Sequence, residues 1–163
     1  MKIYLSRDVK SPNRGTEKSA GIDFYVPNDL TMEDYMKFNK KVNFDEDTKT
    51  LSLKPNERIV IPSGVFLKVP NGFALVSFNK GGIAVKKGLI MGACVIDEDY
   101  QGEVFINMIN TSNETVLIKN GDKITQMLLL NVFYDELIKI KNFDDLYEDK
   151  SKRGDGCMGS TGV

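Results

Sequence analysis

The sequence predicts a mainly β chain: an antiparallel sandwich or barrel made of short strands. Three observations carry this. Short apolar alternations recur at spacings of roughly 8–12 residues. Turn-forming residues close most of them, as at Pro55-Asn56, Pro70-Asn71-Gly72 and Asn120-Gly121. A length of 163 residues suits one domain with a proper core.

Lys2 to Ser6 alternates and reads as the first strand, and residues 11–16 as a loop. In Ser19 to Pro27, small residues precede an apolar alternation and suggest close backbone approach. Asp23 lies inside that strand, between Ile22 and Phe24. An acid there either pairs with a cation or holds a metal's water shell, and pairing is the commoner case. Residues 28–50 break the rhythm. Met32, Tyr35, Met36, Phe38 and Val42 fit a short amphipathic helix over 31–42, with Thr31 or Asp29 near its N-cap. Residues 44–50 then form a polar, hairpin-like link, and no chemistry is visible in this segment.

The strand pattern returns at Leu51 to Leu53, then at Arg58 to Pro62. A turn at Ser63-Gly64 follows, with further strands at Val65 to Val69 and Phe73 to Phe78. Lys80-Gly81-Gly82 comes next. Backbone N–H groups exposed beside a lysine suit a phosphate or diphosphate, although such a loop by itself is more often an ordinary turn. Val85 to Ile90 suggests one helical turn stopped by Gly88.

Gly92 to Glu103 is the most informative stretch. Ala93 to Ile96 reads as the end of a buried strand. Asp97, Glu98, Asp99, Tyr100 and Gly102 form a tight turn, and Glu103 to Ile109 the return strand. Asp97 follows the apolar run directly, which places it at the rim of a pocket, where a carboxylate can activate water as a general base. The alternative is an ordinary acidic turn, and this stretch alone favours the turn. Thr115 to Ile118 is a strand and Lys119 to Asp122 a hairpin turn. Lys123 to Leu130 is a strand with Gln126 inside it, whose amide must bond core backbone or face a ligand. Residues 132–140 read as an edge strand. The tail, residues 144–163, is charged and then glycine-rich, with a disordered tail as its default reading. Yet Arg153 followed by glycines and hydroxyls is also what a phosphate-clamping flap contains.

Composition removes several function classes. Twenty-two basic and 23 acidic residues give a net charge of −1, so no bulk attraction to nucleic acid or anionic membrane is expected. No apolar run approaches the roughly 20 residues of a membrane span, and the charged start does not read as a signal peptide. The two cysteines, Cys94 and Cys157, are expected to be reduced, as in a cytoplasmic protein. There is no histidine. That excludes a Ser-His-Asp triad, a Cys-His pair and a His-ligated zinc. Catalysis is left to carboxylates, lysine, tyrosine, backbone amides or a hard metal such as Mg²⁺.

Five segments, in order, resemble the trimeric dUTPase family (deoxyuridine 5′-triphosphate nucleotidohydrolase). They are Ala20 to Asp23, Asn79 to Ala84, Gly92 to Glu103, Gly121 to Gln126, and Arg153 to Gly162. The third and fifth are specific. The resemblance spans nearly the whole chain except residues 28–50, which look like an insertion carrying one short helix. It implies a jelly-roll or distorted β-barrel core over residues 1–141. Residues 142–163 become a mobile arm that closes a neighbouring subunit's site in a homotrimer. The implied reaction is hydrolysis of dUTP to dUMP and diphosphate with Mg²⁺, limiting uracil in DNA and supplying dUMP for dTMP synthesis. Asp97 matches the catalytic aspartate and Tyr100 the tyrosine packed on the sugar. Val95, Ile96 and Phe105 match the uracil slot, and Lys80, Gly81, Gly82 and Gln126 the phosphate positions. Arg153, Met158, Gly159 and Ser160 match the arm, and Asp23 would meet the metal only through water. Lys80-Gly81-Gly82 departs from the usual Arg-Ser-Gly or Arg-Ser-Ser, and Met158 replaces an aromatic ring. If the arm closes over a neighbour's slot, Cys94 and Cys157 approach one another across subunits. The resemblance also leaves a viral source open, with a host cytoplasmic or nuclear location. Three other readings stand beside this one. The first is a dCTP deaminase-type enzyme, disfavoured because Asn107 holds the place of its glutamate. The second is a nucleotide-binding or regulatory protein with slow chemistry. The third is a protein partner docked on the insertion through Met32, Tyr35 and Met36, disfavoured against the helix simply covering its own barrel.

Overall fold

The computed structural model describes residues 1–93, 95–149 and 151–156. The chain divides into two units, Met1–Val132 and Phe133–Val163. The first is mainly β, and its strands form three antiparallel sheets rather than one closed barrel. One sheet has the order β1 (Lys2–Leu5), β6 (Arg58–Lys68), β10 (Glu103–Asn110), β8 (Leu89–Met91). A second has β11 (Val116–Lys119), β5 (Thr50–Leu53), β4 (Phe44–Asp45). The third has β2 (Asn13–Arg14), β3 (Ile22–Tyr25), β12 (Lys123–Asn131), β7 (Phe73–Phe78), β9 (Val95–Ile96). Inward faces follow the two-residue strand period. In β10, Val104, Ile106 and Met108 are buried and their neighbours less so. They join Phe24, Leu75, Ile118 and Met127 in one core, as expected of a jelly-roll-like fold.

Four expectations about where elements begin and end are corrected. Ser63-Gly64 is not a turn, since β6 runs through it. The register against β10 shifts by two residues there, from Phe105 opposite Pro62 to Glu103 opposite Phe66. Gly64 takes a φ of +70°, and its N–H donates to Glu103 Oε1 at 2.6 Å. The sequence signature of a turn here marks a bulge. The helix expected over 31–42 is only α1 (Met32–Met36). Thr31 and Asp34 form a capping box at its start. Asn39 ends it, with Nδ2 donating to Tyr35 O and Val60 O, both at 2.8 Å. The glycines after Lys80 are not a loop but the first turn of α2 (Gly81–Lys87). Gly88 stops that helix with a φ of +65°, and Leu89 already belongs to β8.

The fourth correction concerns residues 132–140, which form no strand. β12 pairs with β7 up to Asn131 opposite Phe73. Beyond that, the partner strand turns away at Pro70-Asn71-Gly72, so no ladder is left to join. In the second unit Phe133 and Leu137 are 90% and 98% exposed. A single 3₁₀ turn, Phe143–Asp145, is followed by a Phe143–Tyr147 ring contact at 6.1 Å.

The insertion at 28–50 packs on its own unit. Arg7 reaches both oxygens of Asp34 at 3.3 Å. Tyr35 is 0% exposed and meets the Phe44 ring at 5.1 Å. Tyr35 therefore cannot serve a docked partner, and the segment covers its own barrel, the favoured of its two expected roles. Among the described residues no helix is long and apolar enough to cross a membrane.

Candidate active site

The acidic stretch after Ile96 does not join a two-stranded hairpin. β9 pairs with β7, placing Leu75 opposite Ile96 and Val76 opposite Val95. β10 pairs with β6 and β8 instead. The strand expected to return beside β9 thus belongs to another sheet. Where the two part, a cleft of about 260 Å³ opens. Val95, Ile96, Asp97, Tyr100 and Phe105 line it, with Met127 among the other lining residues. Val95 is 59% exposed, so the strand end is open to this cleft rather than buried as expected. The volume is near the small end of ligand pockets and suits a base and part of a sugar.

Asp97 sits at the rim, exposed to solvent. Its backbone is held from several sides. The Glu98 carboxylate accepts from Gly72 N–H, and Lys68 Nζ donates to Glu98 O at 2.8 Å. Tyr100 N–H donates to Asp97 O at 3.3 Å, closing the turn. Ser77 Oγ donates to Ala93 O at 3.1 Å on the strand leading in. The Tyr100 hydroxyl donates to Glu103 O at 2.8 Å, which lays its ring over Gly102, where a Cβ would collide with it. That is why a glycine closes this turn. Glu98 and Ser77 are the residues the sequence reading missed. Their partners, Gly72 and Ala93, are far away in the chain, and no local pattern signals them.

A second cluster gathers at the ends of β3, β7 and β12. Asp23 is buried, and its carboxylate oxygens meet Lys80 Nζ at 2.7 Å and Lys123 Nζ at 3.0 Å. Burial pushes this carboxyl upward, but the two ammonium groups outweigh that and hold it below the usual range. Asp23 in turn raises Lys123. Of the two roles open to Asp23, the structure shows pairing with cations. Gln126 Nε2 donates to Asn79 O at 2.9 Å, and Thr125 Oγ1 to Phe78 O at 3.0 Å. Gln126 therefore bonds backbone and anchors the residue before Lys80. Its side chain also fills the space beside Gly21, which admits no Cβ. The first two N–H groups of α2 belong to Gly81 and Gly82, and the helix's own bonds begin at Ile83 N.

Arg153 lies in the second unit, in a turn where its Nε donates to Gly156 O at 3.0 Å. Cys94, Cys157, Met158, Gly159 and Ser160 lie outside the described residues. A larger cleft of about 810 Å³, between residues 38–43 and strands β5 and β6, is lined by none of the predicted site residues; Asn107 of β10 is among its lining. Among the described residues no group of three acids or thiols could hold a metal. With both Asp23 oxygens engaged by lysines, these side chains do not fit a resident metal ion.

The dUTPase family model matches residues 46–162. A deoxyuridine 5′-triphosphate nucleotidohydrolase from Finegoldia magna is 32% identical over 99% of this chain and 98% of its own length. The mitochondrial enzyme of that name from Homo sapiens is 30% identical over 97% of this chain and 52% of its own length. Among solved structures, a Staphylococcus bacteriophage 80alpha dUTPase with dUpNHpp superposes with a TM-score of 0.75. It is 22% identical and covers 99% of this chain and 98% of that one. A mutant dUTPase from phage phi11 of S. aureus, described with a structural Mg(II) ion, gives 0.68 at 20% identity, covering 88% and 97%.

Proposed function

We propose that this chain, which belongs to the dUTPase family, hydrolyses dUTP to dUMP and diphosphate. The observation that carries the reading is the cleft between β9 and β10, with Asp97 at its rim and Tyr100 folded across Gly102. The uracil edge would meet backbone at Val95, Ile96 and Phe105. The Tyr100 ring would pack on the deoxyribose and leave no room for a 2′-hydroxyl. Asp97 would take a proton from water as that water attacks the α-phosphorus. The bond from that phosphorus to the bridging oxygen breaks, and diphosphate leaves.

Lys80, Gly81, Gly82 and Gln126 form the phosphate-binding part of this reading. Asp23 holds the Lys80 ammonium in place, and Gln126 fixes Asn79 just before it. We place Mg²⁺ on the triphosphate itself, where it would neutralise phosphate charge, because the described residues offer no donor set of their own. Arg153, Met158, Gly159 and Ser160 would close over a neighbour's cleft in a homotrimer. Such an enzyme limits uracil in DNA and supplies dUMP.

Diphosphate release from dUTP, dCTP, dTTP and UTP by purified protein with Mg²⁺ tests this. dUTP should be turned over selectively, without ammonia release from dCTP, and Asp97→Asn should slow it by about 10²–10⁴-fold. A wild-type rate no better than that of Asp97→Asn would refute hydrolysis and leave a nucleotide-binding protein.

A further inference from the structure

We infer that Phe38, in the insertion, is a positioning residue for the cleft: its ring braces Phe105 and so fixes the β10 wall against which the base lies. The inference rests on the dUTPase reading of that cleft. The ring centroids of Phe38 and Phe105 are 4.7 Å apart with planes tilted at 57°, a favourable aromatic arrangement. Phe105 lines the cleft together with Asp97 and Tyr100.

Phe38 is not a loose contact. The residues on either side of it are fixed to different parts of the fold. Tyr35, one turn earlier, is fully buried, and its carbonyl accepts from Phe38 N–H at 3.2 Å. Asn39, the next residue, clamps the backbone of Val60. Its Nδ2 donates to Val60 O at 2.8 Å, and its Oδ1 accepts from Val60 N–H at 2.9 Å. An amide side chain thereby takes the place of a neighbouring strand. Val60 stands opposite Asn107 in the β6–β10 register, and Asn107 shares a face of β10 with Phe105 two residues away. The clamp therefore sets Phe38 at the correct height along β10.

Phe38 remains 46% exposed, so core burial does not account for its place. Met36 is similarly exposed at 48% in the same insertion and carries no ring, while the contact to Phe105 is a ring pair with Phe38. It provides the control.

The test compares Phe38→Ala, Phe38→Tyr and Met36→Ala for kcat and KM with dUTP, and for hydrogen exchange of the 103–107 amides. Phe38→Ala should raise KM roughly 5–10-fold with kcat within about twofold, the signature of lost binding shared by ground and transition states. It should also speed exchange in 103–107. Phe38→Tyr should restore both, and Met36→Ala should change neither. An unchanged KM in Phe38→Ala overturns the inference, whatever exchange does. An equal KM rise in Met36→Ala overturns it too, because the insertion as a whole would then be responsible. If the wild-type chain does not turn over dUTP, the functional reading falls. Exchange alone then decides whether Phe38 holds Phe105.

Discussion

Asp23 keeps its charge in a place that would ordinarily suppress it. Burial favours the neutral acid, but Lys80 and Lys123 reverse that preference. Its folded carboxyl is thus more acidic than in the unfolded chain. The stabilisation is complete above the ordinary carboxylate range near pH 4 and fades as pH falls below it. Asp23→Asn leaves two ammonium groups facing an amide. It should cost about 2 kcal/mol at pH 7, below the usual loss for a broken buried pair because both lysines keep contact with water. Urea unfolding should show the gap between wild type and variant closing as pH falls below about 4. A gap independent of pH would mean that packing, not charge, holds this site. The presence of an acid between Ile22 and Phe24 was legible in the sequence, but the identity of its partners was not. Lys80 and Lys123 are brought to it only by the register of β3 against β12 and by the end of β7.

At the scale of elements, the insertion shows how a short helix is held without a long apolar stripe. α1 is too short to persist alone. It is fixed by the capping box at Thr31 and Asp34, by Arg7 on the Asp34 carboxylate, and by Asn39 on Val60. The guanidinium and ammonium groups around Asp34 hold its carboxyl far below the usual range against the upward push of burial. Asn39→Ala removes the bonds to Tyr35 O, Val60 O and Val60 N–H together. Thermal or urea unfolding should register a loss of about 2–3 kcal/mol, since polar backbone at Val60 is left without its partner. A loss under about half a kcal/mol would show that water replaces the side chain readily. The partner Asp34, three residues on, was missed, but a cap at Thr31, with Asp29 as the alternative, was legible beforehand, because capping is local. The early end at Met36 was not, because Val60 belongs to a distant strand.

At the scale of the whole chain, every buried apolar core residue among the described residues lies between Val9 and Met127, inside the first unit. Removing residues 142–163 should leave cooperative unfolding with its β-type circular dichroism intact. The same truncation should lower kcat/KM for dUTP by about 10²-fold or more if the arm closes the site. Unaltered turnover would exclude the arm from catalysis. The order of residues by itself determined the mainly β class, the turns at Pro55-Asn56, Asn71-Gly72 and Asn120-Gly121, the acid after Ile96 and the family, because these depend on local periodicity and on contiguous motifs. Only the tertiary structure decided that Ser63-Gly64 is a bulge, that β9 and β10 join different sheets and so open a cleft, and that residues 132–140 have no ladder to enter. Each of these depends on which distant strand lies alongside, and strand pairing is a property of the assembled sheets rather than of any stretch within them.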